Sequence, residues 1–539
     1  MTNSTRAKFL ALSVFVTLAV VHTWPLAAAP AHWSRVDPGD GALNVWTVGW
    51  VAHTLAHHPT QLFDANIFYP EHLTLAYSEA MLVQGIVALP VMALGGSAVL
   101  AYNLSLLAGF ALTGWAFCLL AYRWTGKWSA GYVAGSLAAF NAHSLVQFTH
   151  MQFLHPEFIA LMLFALDRLM QTRRTRDAVM LGVGFALQGL TSVYMLVFAA
   201  WTMIFAVLSR IREWWRDGGM PMIARLVTSA AVAALVMAPY LFAYVRVHEA
   251  MGFVRTVGEE EPASISNYLA TTSRLHYAWW SQPFVDEATS NTFPGVIALL
   301  LVLLAWCDRR NTSDARFRMV TIVAAGCALV SVAPLLPFYP VLHQLIPLFQ
   351  AVRVLAHIGH IVLLMIAVAA AFGVATLADA WPHRRSWPIA ATALVVLVNG
   401  EALRAPMGYV WFNGIPAIYD VLAEDPQAVI AELPFPLPQQ WFVNTPYMVN
   451  STRHWRPMLN GYSGFRPGAY ETSYEMVRAL PSPQAVAALR ERGVTHLVVH
   501  QRAFEEASGA AKFQELLSAA GLQVIAREHD IVIARLVGP

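Results

Sequence analysis

The feature that most constrains this chain is the repeated return of apolar segments about as long as a bilayer is thick, with charges confined between them. Inside hydrocarbon such segments satisfy their backbone only as helices. They are expected near 9–26, 101–122, 128–142, 154–170, 178–190, 192–209, 225–245, 293–306, 319–337, 354–378 and 388–403. Several fall short of the ~20 residues that cross about 30 Å of hydrocarbon, which a helix bundle tolerates. Of 539 residues, 57% are hydrophobic and 12% charged. Ordinary soluble domains carry about 25% charge, so a disordered chain, a disulfide scaffold and a soluble enzyme are excluded. The fold class is mainly α: a polytopic transmembrane helix bundle of about eleven spans.

The first apolar run follows Arg6 and Lys8 and precedes Ala27-Ala28-Ala29-Pro30-Ala31, as a secretory signal would. The spans that follow favour an uncleaved first helix. Residues 79–98 are apolar but broken by Pro90 and Gly95-Gly96, and read as a re-entrant or interfacial helix. With that segment non-crossing, Arg123, Lys127, Arg173, Arg174, Arg176, Arg210, Arg212, Arg216, Arg225, Arg309, Arg310, Arg316, Arg318, Arg384 and Arg385 fall on one side of the membrane. By the positive-inside rule that side is cytoplasmic, with the N-terminus in and the C-terminus out. A bacterial inner membrane is the expected location. The net charge of +2 supplies no field that would recruit nucleic acid. Cys118, Cys307 and Cys327 lack metal-type spacing and read as small core residues.

Composition changes near 404. Strands are expected at 428–435, 494–500, 522–526 and 531–537, and helices at 483–492 and 509–520. The expected organisation is a transmembrane domain over 1–403 and a small extracytoplasmic α/β domain over 404–539. The first outer loop, 30–100, would hold the interfacial and re-entrant helices.

Polar residues gather on the outer side. Asp37-Pro-Gly-Asp40 is turn chemistry, and Asp40 serves either as the cap of a helix or as a carboxylate projecting into an outer cavity. Leu43, Trp46, Trp50 and Leu55 repeat at helical spacing and predict an amphipathic interfacial helix over 43–57. Glu79 heads the apolar segment, where it either complements a helix dipole or lines a site. The loop 140–158 carries His143, His150, His155 and Glu157, which suit a polar cavity wall. Glu157 also fits a helix start after Pro156. Arg353 and His357 are four apart, hence on one helical face, where arginine either holds a phosphate or snorkels to the interface. Trp455, Asn460 and Tyr462 interleave aromatic and polar groups that would stack on a sugar or pack a domain junction.

The loop carboxylates after the first span, the apolar bundle and the outer C-terminal domain together resemble the GT-C class of membrane glycosyltransferases. The runs DPGDGALNVW, NIFYP, LAYSE, ELPFP and HWRPMLNGYSGF, with the loop at 147–155, are similar to those of bacterial members. The resemblance implies transfer of a sugar from a polyprenyl-phosphate carrier to a saccharide, lipid or protein acceptor on the outer face. It implies Asp37 or Asp40 as catalytic base or metal-associated acid. Glu79, His143, His150, His155, Glu157, Arg353 and His357 would bind the donor, and Trp455, Asn460 and Tyr462 the acceptor. No cofactor is specified, although a divalent metal at the aspartates is compatible. The aspartates here are separated by two residues rather than adjacent, and no WWDYG motif occurs. A non-enzymatic relative, such as a lipid-linked saccharide transporter or an assembly partner, is the alternative. The nearly charge-free span centres disfavour a through-path.

Overall fold

The computed structural model describes residues 3–36, 38–215, 219–252, 257–383 and 385–537. The chain is mainly helical and divides into two compact units. Met1–Ala28, Leu104–Tyr240 and Phe253–Gly408 make the first; Ala29–Asn103, Leu241–Gly252 and Tyr409–Pro539 make the second.

A helix stands in each apolar segment named above. They are Asn3–His22, Ala98–Thr125, Trp128–Ala139, Glu157–Thr172, Thr175–Thr191, Val193–Ser209, Met220–Met251, Val296–Cys307, Ala315–Ser331, Gly359–Ala380 and Trp387–Ala402. Among the described residues, Thr5–His22, Ala98–Thr125, Met220–Met251 and Leu355–Ala380 are long and apolar enough to cross a membrane.

In the first unit, Phe117, Leu163, Leu166, Phe198, Leu364 and Phe372 belong to one buried core. Apolar side chains gain little by leaving lipid for protein, so association rests on close packing and small residues. A Cβ at Gly373 would lie 2.0 Å from the Leu301 carbonyl oxygen, and one at Gly135 would lie 2.3 Å from that of Gly114. The loops expected in the cytoplasm are fastened by charge. Buried Arg210 pairs with Glu213 and, at 3.0 Å, with Asp167, while Arg168 holds Asp177 at 3.0 Å.

The second unit contains a four-stranded sheet. Strand Ile430–Leu433 runs parallel to His496–His500, which pairs antiparallel with Ile531–Leu536, and Leu522–Glu528 forms the edge. The loop at 66–69 is bonded to 458–460 by backbone: Tyr69 N–H donates to Met458 O, and Met458 N–H to Asn66 O, each at 2.9 Å.

The helix at the start of this unit departs from the amphipathic expectation. It spans Asp40–His57 and is buried around most of its circumference, including Asn44, Thr47 and Thr54. Helices Leu82–Ala93 and Thr445–Ser451 pack on it. Gly49 and Gly85 permit this, since their Cβ atoms would meet Ala98 and Val51 at 2.9 and 2.2 Å. Its tryptophans are also tied inward: Trp46 Nε1 donates to Asn66 Oδ1 at 3.1 Å and Trp50 Nε1 to Leu62 O at 2.9 Å.

Candidate functional site

In the first unit the loop from Phe140 to Pro156 passes through two short 3-10 turns between helices Trp128–Ala139 and Glu157–Thr172. His143 is fully buried there. Its Nε2 lies 3.2 Å from His357 Nδ1, and its ring stacks on His360 at 4.6 Å. Ser290 Oγ also approaches His357 Nδ1, at 3.3 Å. His357 lies within electrostatic range of His150 and Arg353, and packs against the Phe153 and Tyr194 rings. Burial, then the imidazoles of His360, His357 and His150, holds His143 well below the usual histidine range. It is therefore a neutral member of the group.

His155 and Glu157 form a separate, closed arrangement. His155 Nδ1 is 2.9 Å from Glu157 Oε1, and its Nε2 is 3.1 Å from the Ser105 carbonyl. Gln188 bonds both the His155 carbonyl and the Ile159 amide, so this pair knits three helices together.

Arg353 does not share a helical face with His357. It precedes the 3-10 turn Leu355–Ile358 in extended chain, where Val354 bridges to Glu261. Glu261 N–H donates to the Arg353 carbonyl at 2.9 Å, and Arg353 Nε lies 3.4 Å from the Glu261 carboxylate. The Arg353 side chain is 61% exposed.

A second polar locus in this unit is a cavity of about 30 Å³ lined by Asn141, Ser273, His276 and Glu401, among others. That volume is the size of a water molecule, whereas a drug-sized ligand pocket is roughly 300 Å³ or more.

In the second unit Asp37 lies outside the described residues. Asp40 is the first residue of its helix rather than the cap. Gly39 (φ 119°) is the cap, and its amide donates to Thr445 Oγ1 at 2.9 Å. That leaves the Asp40 carboxylate exposed, with the Tyr462 hydroxyl donating to Oδ1 at 3.1 Å. Trp441 meets the Tyr462 ring edge-on at 4.8 Å. Glu79 is half-buried in the extended stretch before helix Leu82–Ala93, beside Ser78 and Ala80, which are both bonded to the Tyr244 hydroxyl. Trp455 adopts a left-handed backbone (φ 56°) and stacks on His53 at 4.3 Å. Asn460 is fully buried, accepting from Glu432 N–H at 2.8 Å and donating to Glu432 O at 3.1 Å. It is a clamp on strand Ile430–Leu433 rather than a surface for ligand.

The structure thus groups His143 and His357, with His150 and Arg353 in electrostatic range, inside one unit, and joins Asp40 to Tyr462 inside the other. His360 and Ser290 complete the first group and carry no motif of their own. The (i, i+3) spacing of His357 and His360 at the head of an apolar run was the available signal. Among the described residues no three His, Cys, Asp or Glu side chains are grouped to hold a metal ion.

No protein-family model and no curated sequence matches the chain. Solved structures do match its fold. The arabinofuranosyltransferase AftD from Mycobacteria aligns over 100% of this chain with a TM-score of 0.61 at 15% identity. The chain spans 40% of that structure's length. The archaeal oligosaccharyltransferase AglB from Archaeoglobus fulgidus, in complex with an inhibitory peptide and a dolichol-phosphate, aligns over 93% of this chain and 70% of its own. Its TM-score is 0.51 at 12% identity. ArnT from Cupriavidus metallidurans, bound to undecaprenyl phosphate, aligns over the whole of both chains with a TM-score of 0.50 at 13% identity. The chain has the fold of these GT-C membrane glycosyltransferases, and with its apolar helices it is an integral membrane protein.

Proposed function

We propose that a chain with this fold is a membrane glycosyltransferase that moves a sugar from a polyprenyl-phosphate carrier to an acceptor on the outer face of the membrane. The observation that carries this reading is the fold match over the full chain to AftD, with a carrier lipid named in two further matched structures. The arrangement of about eleven spans, with the N-terminus inside and residues 404–539 forming an outer α/β domain, belongs to the same proposal.

The chemistry follows from the polar groups. The carrier phosphate is held by exposed Arg353 and by His357, with His150 alongside; neutral His143 abuts His357 Nδ1. The bond between the anomeric carbon and the phosphate oxygen breaks with its electron pair left on phosphate, where these donors stabilise the charge. In a single displacement the acceptor hydroxyl forms the new bond to the anomeric carbon and loses its proton to a base, the role assigned here to Asp40, which accepts a hydrogen bond from Tyr462. Inversion at the anomeric carbon results.

The test is transfer of radiolabelled sugar from a polyprenyl-phosphate donor by the purified chain in detergent. Asp40→Asn should lower the rate by about 10² to 10⁴ with the melting temperature retained. Undiminished transfer by the Asp37→Asn/Asp40→Asn double variant would remove the base assignment. Absence of transfer with every polyprenyl-phosphate sugar offered would remove the reading itself.

A further inference from the structure

The second unit contains a buried carboxylate that the proposed reaction does not use. Glu432 is fully buried on strand Ile430–Leu433, whose parallel neighbour ends at His500. His500 Nε2 lies 2.7 Å from Glu432 Oε2. The Tyr419 hydroxyl donates to the same carboxylate at 3.0 and 3.2 Å and accepts from Asn450 Nδ2 at 3.2 Å. Tyr447 stacks on the His500 ring at 4.8 Å. Asn460, bonded to both the amide and the carbonyl of Glu432, fixes the backbone from the far side.

A carboxylate only accepts, so His500 Nε2 carries the proton and the Glu432 pairing sets its tautomer. Burial and the Glu432 charge push the Tyr419 hydroxyl far above its ordinary range, so it remains a donor. His500 Nδ1 is then an acceptor on a side chain that is 17% exposed, and it has no hydrogen-bond partner among the described residues. Asn450 spends its amide N–H on Tyr419, and its Oδ1 is likewise unpartnered among the described residues. His500 Nε2 and Asn450 Nδ2 both touch the Tyr419 hydroxyl, at 3.5 and 3.2 Å, which makes the two residues neighbours around one atom. His500 is the last residue of its strand, beside the parallel strand that carries Glu432, and the carboxyl ends of parallel strands are where open α/β sheets place ligands. The charge behind the imidazole repels phosphates and carboxylates and favours neutral hydroxyl donors.

We propose that His500 and Asn450, backed by Glu432 and Tyr419, form a saccharide-binding site that reads neighbouring hydroxyls of one sugar ring. Equating that saccharide with the acceptor rests on the transferase reading; the binding itself does not.

The experiment uses the full chain in detergent on a printed array of bacterial envelope oligosaccharides, with titration of the best-bound saccharide. His500→Ala and Asn450→Ala should each weaken binding about tenfold, the loss of one well-made hydrogen bond. Glu432→Gln, which keeps the shape and frees the imidazole, should weaken it similarly. If Glu432→Gln fails to fold, the other two variants decide. Unaltered affinity in both His500→Ala and Asn450→Ala overturns the site, as does a wild-type chain that binds no saccharide. The label-transfer assay run in parallel separates the two readings. Transfer without saccharide binding overturns the site and spares the transferase; binding lost in the variants without any wild-type transfer upholds the site and removes the transferase.

Discussion

Tyr462 and Asp40 are 422 positions apart, yet one donates a hydrogen bond to the other at 3.1 Å. Gly39 rather than Asp40 caps the helix, and the exposed Asp40 carboxylate accepts from Tyr462. Tyr462→Phe is therefore expected to reduce transfer by about tenfold at saturating substrate, with the acceptor KM little changed, as measured in the label assay. A second prediction concerns pH. Burial and then His57 and His58 lower His53 from 6.5 to about 4, and burial with Arg456 lowers His454 to about 3. Their folded values lie below the unfolded one, so the unfolded chain binds more protons as pH falls. The stability they contribute is fully present above pH 6.5 and is lost as pH drops toward 4 and then 3. The melting temperature should fall between pH 7 and about 4.5. His454→Asn, which keeps an acceptor for the Arg456 amide, should flatten that slope. A slope as steep as wild type would show that other groups carry it. None of this was legible in HWRPMLNGYSGF. The motif marks aromatic and polar content, whereas burial of Asn460 and the stacking of Trp455 on His53 depend on segments hundreds of residues away.

At the level of elements, the apolar segments were legible because hydrocarbon imposes its own length and polarity on any helix that enters it. So were the strands: the apolar run at 494–500 stands as His496–His500 and that at 531–537 as Ile531–Leu536. What hydropathy could not convey is which helix faces another. The Asp40–His57 helix looks amphipathic because Leu43, Trp46, Trp50 and Leu55 repeat at helical spacing; its polar Asn44, Thr47 and Thr54 are nonetheless buried, because glycines let neighbours close over the helix. Arg353 misleads in a similar way. A spacing of four implies one face only if the residues between are helical, and here the chain is held extended by its bridge to Glu261. The close approach at Gly373 gives a direct test. Gly373→Leu must separate helices Val296–Cys307 and Gly359–Ala380, and should destabilise the first unit by about 3 kcal/mol. Thermal unfolding in detergent should show a clearly lower midpoint; an unchanged one would mean that these helices do not pack as described.

For the molecule as a whole, the native cysteines provide a map of sidedness. Cys307 is exposed at the end of helix Val296–Cys307, next to Arg309 and Arg310, whereas Cys118 and Cys327 are buried. A membrane-impermeant maleimide should label the chain in inside-out vesicles and not in right-side-out ones, and Cys307→Ser should abolish the label. Labelling from the opposite side would invert the proposed orientation.

The second unit draws its residues from three stretches, the last of which begins at Tyr409. During synthesis, helix Asp40–His57 leaves the ribosome long before Thr445–Ser451, the helix that covers it. More than 350 residues must be inserted or exported while that apolar surface waits. A chain stopped near residue 408 would therefore not be a tidy membrane half. It would be a nascent intermediate with its tryptophans bare, a natural client for chaperones or quality-control proteases.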